Sequence, residues 1–233
     1  MERIIVTIDG PGGSGKSTVA RKVAKNLRFV HLNSGALFRA LAVLAREQLG
    51  ESGVNLSDEE QLVKLARATQ FDFSLEAISG ETVFTVNGEE FSSRIRGEQV
   101  GDLASKIAVL PNLRQVFLEL QREVAKRTNL VVEGRDAGSV VFPDARFKFY
   151  LDATPEERAR RRVKEMQGDD AEASESFAKF FLVVKAELEK RDERDRSRDV
   201  APQVCPEGAR VIDTTTLSLE QVVQQIVDVI QRY

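Results

Sequence analysis

The chain has 233 residues, of which 42% are hydrophobic and 30% are charged, and its formal net charge is −3. This length allows one compact α/β domain with insertions, and the small net charge offers no whole-chain argument for nucleic-acid binding. The single cysteine and the single histidine exclude an internal disulfide framework, a cysteine-rich zinc site and a multi-histidine metal site.

The first predicted element is a short buried strand at residues 4–8. Because this strand begins so close to the N-terminus, we expect no signal peptide. The sequence also contains no apolar run of about 18 residues, the length that a membrane span requires. We therefore expect a cytoplasmic protein with no membrane partner.

The segment after this strand fits the phosphate-binding loop spacing G-x-x-x-x-G-K-[ST], and a helical pattern follows it at once. Glycines let backbone N–H groups wrap a phosphate, and the helix N-terminus presents a positive end to the same anion. Lys16 is expected to bridge the β- and γ-phosphates of a nucleoside triphosphate, and Ser17 to ligate Mg²⁺. The predicted ATP-binding residues are Gly10, Pro11, Gly12, Gly13, Ser14, Gly15, Lys16, Ser17 and Thr18.

A second short strand is predicted at residues 29–32, and a helix at about 36–49 with Ser34 as its cap. Arg39 lies in the first turn of this helix, off the apolar stripe. An arginine in that position can reach an anion held near the phosphate-binding loop. The alternative is a solvated arginine.

Residues 50–56 are predicted as a loop, and Ser57 opens a capping box for a helix that ends near residue 68. The apolar period then changes to strict alternation, which is typical of a half-buried strand. Asn87 and Gly88 form a strong hairpin signal. Residues from about 70 to 92 are therefore predicted to be a small antiparallel sheet inserted into an otherwise alternating chain.

The next helical pattern, at about 95–127, is interrupted at Pro111, with Ser105 and Arg114 on either side of the break. Each of these two side chains, taken alone, is more often a surface residue. A third strand at 130–132 runs into the charged residues Glu133, Arg135 and Asp136. Because open α/β sheets bind ligands at the carboxyl ends of their strands, this position favours a functional role for these charged residues.

A fourth strand is predicted at 147–151, and Thr154 and Pro155 form a strong helix start. That helix is rich in arginine, and an exposed acidic tip follows it at 168–172. Together they suit a helical lid, at about 155–175, that closes over phosphates. The alternative is a solvated charged helix.

The helix predicted at about 176–196 carries an apolar stripe whose spacing continues to Arg191, Asp195 and Arg198. Unpaired buried charge is costly, so this helix is expected to run from the core into a polar cleft. The alternative is that these charges pair along the surface. A fifth strand at 209–213 and a final helix complete a five-stranded parallel sheet with right-handed crossovers.

The arginines at element ends suit phosphoryl transfer between two anions, because guanidinium groups match phosphate in bidentate fashion. The chain closely resembles the bacterial cytidylate kinases over essentially its whole length. The matching stretches are IDGPGGSGKST (8–18), LNSGALFRAL (32–41), ASKIAVLPNLR (104–114), VEGRDAGSVVFPDA (132–145), LDATPEERARRR (151–162) and RDERDRSRDVAP (191–202).

This resemblance implies an α/β P-loop NTPase fold with a five-stranded parallel sheet flanked by helices, a small antiparallel-sheet insert and a helical lid. It implies a core at 1–34 and 100–233 and a monophosphate-binding region at 35–99. The implied reaction converts ATP and CMP or dCMP to ADP and CDP or dCDP with Mg²⁺. The implied catalytic residues are Lys16, Arg135, Arg158, Arg161, Arg162 and Arg198.

The resemblance also implies which residues bind CMP: Ser34, Arg39, Ser105, Arg114, Arg135, Asp136, Arg191, Asp195 and Arg198. Three of these arginines would grip the phosphate of CMP: Arg39, Arg135 and Arg198. Ser105, Arg114 and Asp136 would read cytosine, whose 4-amino group suits a carboxylate and whose N3 and O2 atoms suit an arginine or a hydroxyl.

Two alternatives stay open. The chain could be another nucleoside monophosphate kinase, for UMP or a purine, or a P-loop ATPase that switches a protein partner. We expect a monomer, because no exposed apolar stripe is left over, and small-molecule substrates without a nucleic-acid partner.

Overall fold

The computed structural model describes residues 3–49, 58–168, 172 and 177–232. Its first half contains β1 Ile5–Asp9, α1 Lys16–Leu27, β2 Val30–Asn33, α2 Ser34–Leu49, α3 Glu59–Ala68, β3 Phe71–Leu75, β4 Thr82–Val86, β5 Glu89–Glu90, α4 Glu98–Ile107 and α5 Pro111–Arg127. Its second half contains β6 Leu130–Gly134, a π-helical turn Ala137–Val141, β7 Phe147–Asp152, α6 Pro155–Gln167, α7 Phe177–Arg196, β8 Arg210–Asp213 and α8 Leu219–Gln231.

Five parallel strands form the central sheet, in the order β2-β6-β1-β7-β8. Strand β1 lies in the middle, where Asp9 is in register with Gly134 of β6 and Tyr150 of β7. Strand β6 is buried throughout because helices cover both faces of the sheet. The five-stranded parallel sheet predicted from the sequence is confirmed.

The apolar core has two layers, one on each face of the sheet. One layer packs α2 and α5 against β6 through side chains such as Leu37, Leu41 and Phe117. The other packs α1 and α8 against β1 and β7, with Val23 and Ile226 among its buried residues. Because β1 and β6 are parallel neighbours between these layers, their carboxyl ends lie together at one edge of the sheet.

The predicted antiparallel insert is also confirmed, as the three-stranded sheet β3-β4-β5. Phe73 and Phe84 stack across β3 and β4 with ring centroids 4.7 Å apart. The hairpin turn uses a left-handed Asn87, with φ of 52°. Phe71 packs edge-on against Phe117 of α5 at 5.6 Å, which attaches the insert to the first core layer.

The predicted cap of α2 is wrong. The Ser34 hydroxyl donates to Gln121 Oε1 at 2.6 Å instead of capping α2, and Asn33 Oδ1 accepts the N–H of Ala36 at 3.1 Å in its place. The predicted capping residue Ser57 lies outside the described residues. Within them, the Asp58 side chain accepts the N–H of Gln61 at the start of α3.

Helix α6 begins as predicted, with the Thr154 hydroxyl accepting the N–H of Glu157. Most of the predicted acidic tip, residues 169–171, lies outside the described residues. Helices α6 and α7 pack together around the buried Val163 and Val184. Among the described helices, none is long and apolar enough to cross a membrane.

Candidate active site

The predicted phosphate-binding loop, residues 10–17, connects β1 to α1 and lies tightly against its surroundings. A Cβ atom on Gly10 would lie 2.1 Å from the carbonyl oxygen of Leu151, and one on Gly13 would lie 2.9 Å from that of Arg158. Gly13 also has a φ of 74°, which an L side chain adopts with strain. Glycine is therefore required where this loop passes β7 and α6.

Lys16 and Ser17 open helix α1 at the mouth of the loop. Lys16 is buried, and its Nζ donates to the Pro11 carbonyl at 3.0 Å. Burial, helped by the nearby charge of Arg135, lowers the pKa of Lys16 to about 7. The Ser17 hydroxyl donates to Glu133 Oε2 at 2.6 Å. Both predicted loop residues thus lie close to charged groups at the carboxyl end of β6.

Glu133 is a buried carboxylate to which the sequence pattern gave no specific role. Burial alone would raise its pKa, but contacts with His31, Lys16 and Ser17 outweigh burial and lower the pKa to about 2. His31 Nε2 lies 3.4 Å from Glu133 Oε1, an atom that has no hydrogen-bond partner among the described residues. The available signal was its position at the end of a buried strand, shortly before Arg135 and Asp136.

Several partly buried arginines converge beside this carboxylate. Burial and the nearby charge of Arg135 lower the pKa of Arg191 to about 10. Burial also lowers the pKa of Arg39, and Arg135 again contributes. Arg191 Nε is buried without a hydrogen-bond partner in the described part of the chain. Crowded, partly unsatisfied cations of this kind form a ready site for an anion.

Asp195 of α7 holds two of the predicted phosphate-binding arginines. Its Oδ2 accepts from Arg135 Nε at 2.9 Å, and its Oδ1 accepts from Arg198. Burial raises the pKa of Asp195, but the two arginines outweigh burial and the net shift is downward. Arg198 lies just after the end of α7, and its side chain, like that of Asp195, is buried. A single carboxylate therefore orients both guanidinium groups.

Next to the arginines lies a cavity of about 110 Å³ that opens between α2, α5 and the π-helical turn. Arg114 donates to the Asp136 carboxylate and to the Ala108 carbonyl, the latter at 2.9 Å. The Arg114 guanidinium carbon lies 5.7 Å from the Phe38 ring centroid. The residues that line the cavity include Ser34, Phe38, Arg114, Phe117, Gln121 and Asp136. The cavity thus joins flat apolar walls to polar donors and acceptors.

Ser105 is buried on α4 but is not among the residues that line this cavity. Its hydroxyl accepts a hydrogen bond of 2.9 Å from Arg194 of α7, a residue that the sequence pattern did not select. Arg194 also lies 3.6 Å from Asp102 of α4. Helix α7 therefore contacts both the arginines predicted to bind phosphate and α4.

The three predicted lid arginines differ in what they contact. Arg158 is buried, donates to the Gly12 carbonyl at 2.9 Å and forms an ion pair with Asp192. Asp192 Oδ1 in turn accepts the N–H of Gly12 at 3.1 Å. Arg161 donates to the Thr214 hydroxyl at 2.9 Å. Arg162 pairs with Glu165 of its own helix at 2.8 Å. Of the three, Arg158 is therefore the one whose side chain hydrogen-bonds to the backbone of the predicted phosphate-binding loop.

Residues 6–232 match the family model described as cytidylate kinase. The chain is 42% identical over 225 residues to a cytidylate kinase from Actinobacillus succinogenes, covering 95% of this chain and 96% of that protein. It is 41% identical over 231 residues to a cytidylate kinase from Pasteurella multocida, covering 99% and 96%. The crystal structure of an uncharacterized protein from Eubacterium ventriosum aligns over 99% of this chain and 100% of that chain, with 14% identity and a TM-score of 0.50. That structural likeness shows the fold alone.

Proposed function

The chain belongs to the cytidylate kinase family, and from this premise we propose that it transfers the γ-phosphoryl group of ATP to CMP or dCMP. One structural observation supports this most strongly. Arg135 and Asp136 are consecutive residues just after the end of β6, yet their side chains pair with different parts of the chain. Arg135 pairs with Asp195 among the clustered arginines, and Asp136 pairs with Arg114 at the cavity. One short segment thus connects a candidate phosphate site to a candidate base site.

The phosphates of ATP lie against backbone N–H groups of the loop after Pro11, residues 12–18, with Lys16 between the β- and γ-phosphates. Mg²⁺ fits beside Ser17, because the adjoining Glu133 Oε1 is a buried, ionised acceptor without a hydrogen-bond partner among the described residues. The ion would neutralise charge on the β- and γ-phosphates. Glu133 holds the Ser17 hydroxyl in place for this contact.

The monophosphate of CMP binds Arg39, Arg135 and Arg198, three cations that share few carboxylates, so that its negative charge is favourable beside them. Asp136 accepts a hydrogen bond from the 4-amino group of cytosine, and Arg114 donates to N3 and O2. Phe38 provides an apolar wall for the base. Asp195 and Arg191 adjoin the sugar, and Ser34 lies near the acceptor. Ser105 joins the base site only if its hydroxyl turns from Arg194 toward the cavity.

In the transfer step, an oxygen of the CMP phosphate attacks the γ-phosphorus of ATP. The bond between that phosphorus and the bridging oxygen breaks, and ADP leaves with the electron pair. Lys16, Arg135 and Arg158, with Arg161 and Arg162 on lid closure, offset the negative charge spread over the transferred group. No covalent enzyme intermediate is needed, so positioning and charge neutralisation account for catalysis.

The test is an ADP-release assay with MgATP and, separately, CMP, dCMP, UMP, AMP, GMP and dTMP. We expect CMP and dCMP to drive fast turnover and the other acceptors to drive little. A Lys16→Met variant controls for contaminating kinases, since it removes a phosphate contact while the acceptor site is unchanged. If no acceptor raises ADP release above a slow background, the kinase proposal fails, and an ATPase that switches a protein partner becomes the better explanation. Preference for UMP would instead favour the other kinase alternative.

The division into a core and a monophosphate-binding region at 35–99, the lid at about 155–175 and the monomeric state remain predictions. Light scattering during size-exclusion chromatography would test the monomer. A change in hydrogen exchange confined to α6 and α7 when ATP is added would support the lid.

A further inference from the structure

The last residue of β1 is an aspartate for which the proposed reaction has no direct use. Asp9 is fully buried, with an exposed fraction of 0%, at the centre of the sheet. An acid in such a place needs hydrogen-bond donors, because an unsatisfied buried carboxylate is costly. Its donors lie on the segment that follows β6.

Asp9 accepts two consecutive backbone hydrogen bonds. Its Oδ1 accepts from the N–H of Ala137 at 2.8 Å, and its Oδ2 accepts from the N–H of Gly138 at 2.7 Å. These residues open the π-helical turn Ala137–Val141, and the first N–H groups of any helical turn lack partners within it. Asp9 therefore caps this turn from a strand 128 residues away.

Asp136 occupies the position where an aspartate normally caps such a turn with its own side chain. It makes no such bond, although its backbone carbonyl accepts from Val140 and Val141. Its carboxylate instead pairs with Arg114 at the cavity. Because Asp9 satisfies the N–H groups, the carboxylate of Asp136 is available to the base.

The turn rests directly on β1. A Cβ atom on Gly138 would lie 2.6 Å from Thr7 Oγ1 and 3.2 Å from Asp9 Oδ2. This spacing leaves no room for another side chain between the turn and the strand. If the Asp9 hydrogen bonds are lost, the turn is therefore expected to shift relative to β1, and the adjoining Asp136 to shift with it.

We propose that Asp9 is a positioning residue for base recognition: by capping the π-helical turn in place of Asp136, it leaves the Asp136 carboxylate free to bind the 4-amino group of cytosine. This inference rests on the proposed function, since it takes Asp136 as the residue that reads the base. It predicts a defect in CMP recognition that ATP binding does not share.

The primary variant is Asp9→Asn, which keeps the shape but puts an amide N–H₂ against one of the two N–H donors. Burial raises the pKa of Asp9 to about 6, so the wild-type carboxylate is ionised at pH 8. At pH 8 we expect the KM for CMP to rise at least about tenfold, the effect of one lost buried hydrogen bond, while the KM for ATP stays within about twofold. The ratio of kcat/KM for CMP to that for UMP should fall in parallel. The matched control is Asp72→Asn, a partly exposed aspartate paired with Arg127 at 3.5 Å, which should change neither value.

A double variant distinguishes positioning from general damage. Because Asp9 acts through Asp136, adding Asp9→Asn to Asp136→Asn should cause little further loss of CMP preference. Gly138→Ala tests the same link without altering the acid: it should displace the turn from β1 and give the same defect specific to CMP, even if Asp9→Asn does not fold. An unchanged KM for CMP in these variants, or an equal rise for ATP, would overturn the inference. If the wild-type protein itself fails to prefer CMP over UMP, the proposed function fails, and the role given to Asp9 fails with it.

Discussion

Arg114 of α5 and Asp136, the residue before the π-helical turn, form an ion pair in which both side chains are about nine-tenths buried. The pair borders a cavity of about 110 Å³. Its donor and acceptor complement the N3, O2 and 4-amino groups of cytosine. Uracil has a carbonyl where cytosine has the amino group, so the Asp136 carboxylate would face an oxygen.

Replacing Asp136 with asparagine should therefore reduce discrimination between pyrimidines. We expect kcat/KM for CMP to fall about 10- to 100-fold, the range for a lost hydrogen bond to a charged group. UMP should lose much less, and the KM for ATP should stay within about twofold. Steady-state kinetics with each acceptor check this, with Asp228→Asn on α8 as the control. Equal weakening of CMP and ATP would contradict the assignment of Asp136 to the base.

The contact between Arg158 and Asp192 should contribute strongly to stability. Asp192→Ala leaves the buried Arg158 guanidinium without its counter-ion and the Gly12 N–H without its acceptor. Breaking one partner of a buried pair costs about 3–5 kcal/mol of unfolding free energy. Urea denaturation measures this loss. Glu189→Ala on the same helix removes a more exposed contact with Lys185 and should cost less than about 1 kcal/mol. Similar losses in the two variants would show that the Arg158 contact does not matter.

Two glycines with similar backbone angles should respond differently to alanine. Gly13 and Gly80 have φ of 74° and 67°, but only Gly13 is crowded, because a Cβ atom there would lie 2.9 Å from the Arg158 carbonyl oxygen. Gly80→Ala should cost about 1–2 kcal/mol of stability, from backbone strain alone, and leave the kinetics unchanged. Gly13→Ala should also raise the KM for ATP at least about tenfold, because the phosphate-binding loop must move. Kinetics and urea unfolding of both variants check this contrast, and an unchanged KM for ATP in Gly13→Ala would contradict it.

The fold was largely predictable because its signals are local. The phosphate-binding loop, the five strands of the parallel sheet and the Asn87–Gly88 hairpin are each defined by residues within one short window. The cap of α2 was predicted wrongly because the hydroxyl of Ser34 is used by Gln121, a residue 87 positions away. No local pattern reveals such a partner.

The sequence predicted which types of residue form the candidate site, but it did not predict which of them form ion pairs with each other. Arginines at element ends pointed to an anion site, yet sequence spacing could not show that Arg135 pairs with Asp195, 60 positions away. Asp9 was missed as a site residue, and Glu133 received no specific role, because a single acid at the end of an apolar strand resembles an ordinary boundary. Their importance follows from burial and from donors on other segments of the chain.

The titration of Asp9 gives a prediction about stability that is independent of the enzyme assay. Burial raises its pKa from 3.8 to about 6, although the N–H groups of Gly138 and Ala137 lower it in part. Between these two pH values the folded protein holds a proton that the unfolded chain has released. The unfolding free energy contributed by Asp9 therefore falls as pH rises through this window, by about 3 kcal/mol for two pKa units.

Asp9→Asn removes this titration, while every other ionisable group titrates in both proteins. The difference in unfolding free energy, variant minus wild type, should therefore become more positive by about 2–3 kcal/mol between about pH 4.5 and about pH 7.5. This change is expected whatever the difference is at about pH 4.5. Urea denaturation of both proteins at several pH values across this range measures the difference. The Asp72→Asn variant, which removes a more exposed carboxylate, is measured in parallel as the control. A constant difference for Asp9→Asn would mean that the buried carboxylate keeps an ordinary pKa, so that its two backbone hydrogen bonds fully offset its burial.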